Sequence, residues 1–399
     1  MGAFLDKPNT EKHTETGSGN GLQYALASEQ GWRTEMEDAH CAVSGVSEQL
    51  RDWSFFAVFD GHAGSKVSAF CSQTLLSHIL QSEQMSPETL RQLAGDETAL
   101  AESVRSGLVS GFLRLDERMR SEPDVETDKS GSTAVCALVS PTHVFVANCG
   151  DSRALMCRRG EIALSTTDHK PINPGEKERI EKAGGNVMIQ RVNGSLAVSR
   201  ALGDYDYKNV SGKGQCEQLV SPEPEVYVEK RQADDEFLVL ACDGVWDVFD
   251  NTDLCQFVRS RLRVTDKLDE VVNQILDTCF YKGSKDNMST VVIVFPGAPK
   301  VDPAAAAREE AMKQSVAKHV EEYLRAVEPV PPRPADEDEK DAHDEEDDGP
   351  RVSMPELMTF LDSKKIADLP DGGGLASMRK YVEDVVSIVT KKQSGAGPQ

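Results

Sequence analysis

The chain has 399 residues, with 44 Lys+Arg against 67 Asp+Glu and a formal net charge of −23. That length allows two or three domains and a sizeable core, and a composition 39% hydrophobic and 28% charged fits a folded soluble protein. So acidic a balance disfavours nucleic acid or an anionic membrane as the main partner; no run reaches the roughly 18 apolar residues of a spanning helix, and no apolar leader opens the chain, which argues against secretion.

Residues 1–21 read as an N-terminal segment, and Gly2 is a candidate acylation site. The myristoylation pattern wants Ser or Thr at position six, where this chain has Asp6, and no polybasic patch follows to reinforce a single acyl chain. The expectation is a mostly soluble, monomeric protein of the cytoplasm, extending to the nucleus, with at most a minor membrane-associated fraction. From about 22 to 297, short β-branched-rich runs recur at Trp53–Phe59, Thr133–Val139, Val144–Ala147, Phe237–Cys242 and Thr290–Phe295. Each is bounded by Gly, Pro, Asn or Asp, which predicts buried strands. Helical patterns fall between them at about 65–81, 88–119, 175–183, 252–263 and 266–280, and Ser86-Pro87-Glu88 reads as an N-cap followed by proline at the first helical position. The strands at 133–139, 143–149 and 152–158 are joined too tightly for helical crossovers, so they are expected to be antiparallel. The fold class is therefore α+β, sheet-rich with helices packed outside. The nine cysteines are odd in number and form no C-x-x-C, and most sit in apolar runs. That suits reduced, buried thiols better than a disulfide framework.

The last hundred residues, 298–399, read differently. Met312, Val316, Val320 and Tyr323–Leu324 predict one amphipathic helix. Ser353-x-x-Glu356 resembles a capping box leading into a second, and Met378, Val382, Val385 and Val389 mark a third. Between them, 329–350 begins Pro329-Val-Pro-Pro-Arg-Pro334 and continues into Asp336–Asp348, where ten carboxylates and one lysine give a net −9. The remaining 386 residues carry −14. The segment is expected to be a stiff, then self-repelling, disordered linker, with Pro331-x-x-Pro334 read as spacer.

Carboxylates stand where the predicted strands end. Trp53–Phe59 runs into Asp60-Gly61-His62, Phe237–Cys242 into Asp243-Gly244, and Val144–Asn148 into Gly150-Asp151, while Asp286-Asn287 precedes Thr290–Phe295. Any one Asp-Gly pair is explained by a tight turn. Four such aspartates, gathered at strand rims, would repel one another, and hard divalent cations such as Mg²⁺ or Mn²⁺ resolve that repulsion. No G-x-x-x-x-G-K-[ST], G-x-S-x-G or H-E-x-x-H occurs. Cys255 and Arg261 have the bare C-x5-R spacing of a tyrosine-phosphatase loop, but the residues between them lack glycine and continue a helix pattern, so the motif is rejected.

Gly31-Trp32-Arg33-Thr34-Glu35-Met36-Glu37-Asp38 and Phe59-Asp60-Gly61-His62-Ala63-Gly64 resemble the opening motifs of the type 2C, metal-dependent Ser/Thr protein phosphatases. The resemblance continues in the same order through Gly131-Ser132-Thr133-Ala134, Ala147–Arg153, Asp168-His169-Lys170-Pro171, Leu196–Asp204, Cys242–Asp247 and Asp286-Asn287-Met288-Ser289, covering about 22–297. The first eight residues and the C-terminal helices resemble the animal alpha/beta subgroup. The resemblance implies a central sandwich of two antiparallel sheets flanked by helices, two metal ions at one edge, and phosphorylated proteins as substrates. It implies that Asp60 bridges both ions, Gly61 gives its carbonyl, and Asp243 and Asp286 complete the ligands. Asp151 and Asp247 match a weaker third-metal site with Asp243. Glu37 would hold metal-bound water, with Asp38 nearby, and residues from about 167 to 190 match a substrate-shaping flap. A water bridging the ions would then attack phosphorus, Arg33 would grip the phosphate with a bidentate fork, and His62 would protonate the leaving oxygen. Two other readings compete: an inactive relative that only binds, and an adaptor acting on a basic partner through the C-terminal helices and acidic linker. The intact set Arg33, Asp60, His62, Asp243 and Asp286 argues against the first.

Overall fold

Burial on both faces explains the apolar runs. Along β4 (Ser54–Phe59), Phe56 and Val58 point into the space between two sheets, while Phe55, Ala57 and Phe59 point outward against helices. Each fully buried phenylalanine contributes roughly 2 kcal/mol of transfer free energy. The computed structural model describes residues 4–122, 128–327 and 352–393; Gly2 and the 329–350 linker lie outside them.

The first sheet has the order β1 (Phe4–Gly19), β2 (Leu22–Arg33), β16 (Met288–Val294), β15 (Asp235–Ala241), β9 (Arg153–Arg158), β10 (Glu161–Ser165). The second runs β14 (Glu225–Lys230), β8 (His143–Cys149), β7 (Ala134–Val139), β4, β3 (Ala39–Ser44). Every pairing in both is antiparallel. α1 (Lys66–Leu80), α2 (Pro87–Gln92) and α3 (Glu97–Met119) flank the second sheet. On the first sheet's outer face pack the short α5 (Asp243–Trp246), α6 (Asn251–Leu262) and α7 (Leu268–Lys282). A small sheet of β13 (Leu202–Gly203), β6 (Gly131–Ser132) and β5 (Gly61–His62) lies beside the sandwich. The segment after residue 167 holds α4 (Pro174–Lys182) and the hairpin β11 (Val187–Met188)–β12 (Arg191–Val192), closed over its own core of Ile180, Val192, Val198, Ala201 and Val220.

Three sequence expectations change. Residues 4–19 are a strand in register with β2, not a separate segment. They show no apolar run because β1 buries little of itself and is mostly polar after Leu5. The pattern at 88–119 splits at Leu93–Gly95, and Asp96 caps α3 by accepting from the Thr98 and Ala99 amides. Ser86 caps α2 as expected, accepting from the Thr89 amide. The capping box at Ser353 does not form: the serine makes no capping bond, and Glu356 instead accepts from the Tyr323 hydroxyl at 3.4 Å.

The C-terminal helices α8 (Pro303–Ala326), α9 (Met354–Ser363) and α10 (Arg379–Gln393) share a core of Met312, Val316, Val320, Leu357, Leu361 and Val382. They dock on α6 and α7 through the buried Arg261–Glu309 ion pair at 2.6 Å and the Tyr281–Glu383 hydrogen bond at 2.6 Å. Cys255 is a buried core residue of α6, and all nine cysteines are unpaired. No helix among the described residues is long and apolar enough to cross a membrane.

Candidate metal and phosphate site

Both sheets deliver carboxylates to one rim. Asp60 follows β4, Asp151 follows β8, Asp243 opens α5 straight after β15, and Asp286 stands just before β16. Oxygens of Asp60, Asp151 and Asp243 lie within 4.8 Å of one another. The Asp60 carbonyl is fixed by the Thr133 amide at 2.9 Å. Gly61 cannot carry a side chain, because a Cβ there would collide with the Glu37 carbonyl oxygen.

The electrostatics are those of a site short of positive charge. Burial pushes the Asp60 carboxyl well above the usual range, and Asp243, Asp38, Asp151 and Asp286 add repulsion. Burial does the same to Asp243, with Asp151, Asp286 and Asp247 contributing. Asp247, more exposed, is raised by its burial and by Asp151 and Asp286. Both oxygens of Asp38 are buried without a hydrogen-bond partner, and one lies within 4.8 Å of Asp60 and Cys242 ligand atoms. Burial pushes this carboxyl up to about 7; the nearby Ser289 and Cys242 oppose the shift, while Asp286 and Glu37 add to it. Converging carboxylates with orphaned lone pairs suit hard divalent cations.

Two cations of the chain already touch the cluster. Arg33 donates from Nη2 to Asp286 Oδ2 at 2.5 Å and is about one-third exposed, so it stands at the mouth of the site. Lys170 Nζ bonds Asp151 Oδ2 at 2.5 Å. Burial alone would make Lys170 less basic, but Asp151 overrides it and holds the ammonium charged. Glu37 accepts from the Gly64 amide at 2.6 Å, and its own amide donates to Asn287 Oδ1 at 2.9 Å.

His62 is placed by the small sheet. β5 pairs it with Gly131, β6 pairs Gly131 with Gly203, and the next residue, Asp204, reaches His62 Nε2 at 2.7 Å. Gly131 is required here, since a Cβ would run into both the Asp204 carboxylate and the His62 ring. Burial disfavours the imidazolium, but the buried Asp204 carboxylate outweighs it and raises the His62 pKa.

The structure thus brings Arg33, Glu37, Asp38, Asp60, Gly61, His62, Asp151, Asp243, Asp247 and Asp286 to one rim, and leaves Gly2 outside the described residues. Sequence reasoning quoted Asp204, Lys170 and Asn287 within motifs without assigning them work. Asn287 also donates to the Gln30 and Glu35 carbonyls, tying the 30–37 loop to β16. Only Asn287 carried a local signal, since it directly follows the suspected Asp286; Lys170 and Asp204 adjoin no suspected residue.

Residues 22–288 match the family model described as protein phosphatase 2C. The chain is 51% identical to protein phosphatase 1B of Rattus norvegicus, covering all of this chain and 97% of the rat protein. It is 52% identical to protein phosphatase 1A of Bos taurus over 96% of this chain and 94% of the bovine protein. Among solved structures, a phosphatase from Toxoplasma gondii overlays with a TM-score of 0.61 at 24% identity, covering 72% of this chain and 96% of that one, a likeness of fold. With a rim of carboxylates suited to Mg²⁺ or Mn²⁺ and full-length relatives above 50% identity, the chain belongs to the protein phosphatase 2C family of metal-dependent serine/threonine phosphatases.

Proposed function

We propose that Asp60, the Gly61 carbonyl, Asp243 and Asp286 hold two Mg²⁺ or Mn²⁺ ions, with a weaker third at Asp151, Asp243 and Asp247, and that the chain cleaves phosphoserine and phosphothreonine by direct attack of water. The observation that carries this reading is the mutual approach of the Asp60, Asp151 and Asp243 oxygens within 4.8 Å. Bound divalent ions lower the pKa of an attacking water and neutralise phosphoryl oxygens. Arg33 grips the phosphate dianion at the site mouth with its planar fork. Glu37, fixed at both its amide and its carboxylate, orients the water, and Asp38 is held beside it.

His62 protonates the serine or threonine oxygen as it leaves; because water itself is the nucleophile, no phospho-enzyme forms. Asp204 occupies Nε2, which leaves Nδ1 as the nitrogen facing away from that bond and assigns it the transferred proton. Lys170 and Arg33 supply fixed positive charge beside the ions. The test is hydrolysis of a phosphothreonine peptide by the full chain with Mn²⁺ and with a chelator. Turnover that appears with Mn²⁺ and vanishes with chelator supports the reading. Equal rates in the two conditions overturn it.

A further inference from the structure

The two sheets each end in an edge strand on the same side of the sandwich, β1 in one and β3 in the other. Register fixes which side chains face the gap between them. In β1, Glu15 pairs with Leu26, whose side chain lies in the core between the sheets, and His13 pairs two residues further on with Ser28. In β3, His40 pairs with Val58, another residue of that inner core. The intervening β1 residues face the other way: Lys12 reaches Asp277 and Thr14 reaches Asn273, both on α7. His13, Glu15 and His40 therefore meet in the interlayer at its open edge.

They meet closely. One ligand atom from each of the three lies within 4.8 Å of the others. His13 Nε2 stands 2.8 Å from Glu15 Oε1, and the two imidazole rings stack with centroids 5.5 Å apart. A surface His–Glu pair accounts for the first contact, but not for a second imidazole brought from the opposite sheet. From these positions we propose a transition-metal site, separate from the carboxylate rim, in which His13, Glu15 and His40 ligate a Zn²⁺ ion with water in the fourth position. Two imidazoles and one carboxylate are a zinc donor set, whereas Mg²⁺ seeks oxygen alone. Tetrahedral zinc needs its ligand atoms roughly 3.4 Å apart. His13 and Glu15 are more than half exposed, so side-chain rotation closes the set without moving either strand, and solvent gives the ion its entry path. Once bound, the ion clasps the edge of one sheet to the edge of the other, on the strand that leads back through Ala39 to Asp38.

The experiment titrates Zn²⁺ into the full chain under saturating Mg²⁺, by calorimetry and by thermal unfolding, with Co²⁺ absorption as the reporter of ligand type. Wild type should bind an equivalent that His13→Ala and Glu15→Gln each lose, together with the accompanying rise in unfolding temperature, while Asp60→Asn keeps it. Both single variants should retain wild-type turnover with Mn²⁺, which shows that they are folded. Equal zinc stoichiometry in wild type and both variants, or loss of the equivalent only in Asp60→Asn, overturns the proposal.

Discussion

At the residue scale, Asp60 is placed against its own charge. Burial and four neighbouring carboxylates oppose its ionised form, so the folded chain without cations stores repulsion there. Asp60→Asn removes one negative charge at nearly constant volume. The expected outcome is phosphopeptide turnover at least about a thousandfold lower, a change of roughly 4 kcal/mol in barrier. The unfolding temperature of the chelated protein should be unchanged or higher, as read by calorimetry. Wild-type turnover in that variant would remove Asp60 from the ligand set. The suspected ligands were legible in sequence because apolar runs stop abruptly at aspartate. Asp204 was not, because nothing local to Leu202-Gly203-Asp204 shows that a two-residue strand will carry it across Gly131 to His62.

At the scale of elements, long buried strands announced themselves and the polar edge did not. β4, β7, β15 and β16 are apolar on both faces, which no solvent-exposed strand imitates. β1 is held by pairing and by the Lys12 ammonium, which forms ion pairs with Glu29 at 2.8 Å and Asp277 at 2.7 Å; such long-range partners carry no periodic signature. The C-terminal helices were legible as amphipathic, but their seat was not. That seat depends on Arg261, buried on α6 and paired with Glu309 of α8. Glu309→Ala leaves a buried guanidinium without its carboxylate, and should cost about 3 kcal/mol of local stability. Hydrogen exchange in α8 should quicken while turnover on a phosphopeptide stays near wild type. Unchanged protection across α8 would show that the pair does not hold the helices down.

For the whole molecule, nine units of the −23 belong to the run at 336–348, and the remaining −14 includes a rim whose carboxylates are raised by burial and by one another. A carboxyl whose folded pKa lies above its unfolded value binds more protons when folded, so its contribution to stability falls as pH rises between the two values. For Asp38 that window runs from 3.8 to about 7. Without cations this contribution should therefore decline from about pH 5 to about pH 7, and Mn²⁺ held by the neighbouring aspartates, which favours the ionised rim, should raise the unfolding temperature more at the upper end. Thermal scans with and without Mn²⁺ at the two pH values check it; an equal or smaller rise near neutrality would contradict the assignment of repulsion to this rim.

The strand order β1-β2-β16-β15 places the last strand of the sandwich between one of the first and one made some fifty residues earlier. Its neighbours wait for it: during synthesis, β2 cannot complete its ladder until Met288–Val294 has left the ribosome. Asp286 arrives with that strand, and Asn287 then draws in the 30–37 loop that carries Arg33 and Glu37. A nascent chain thus gains its full set of proposed cation ligands only after its longest-range pairing is made.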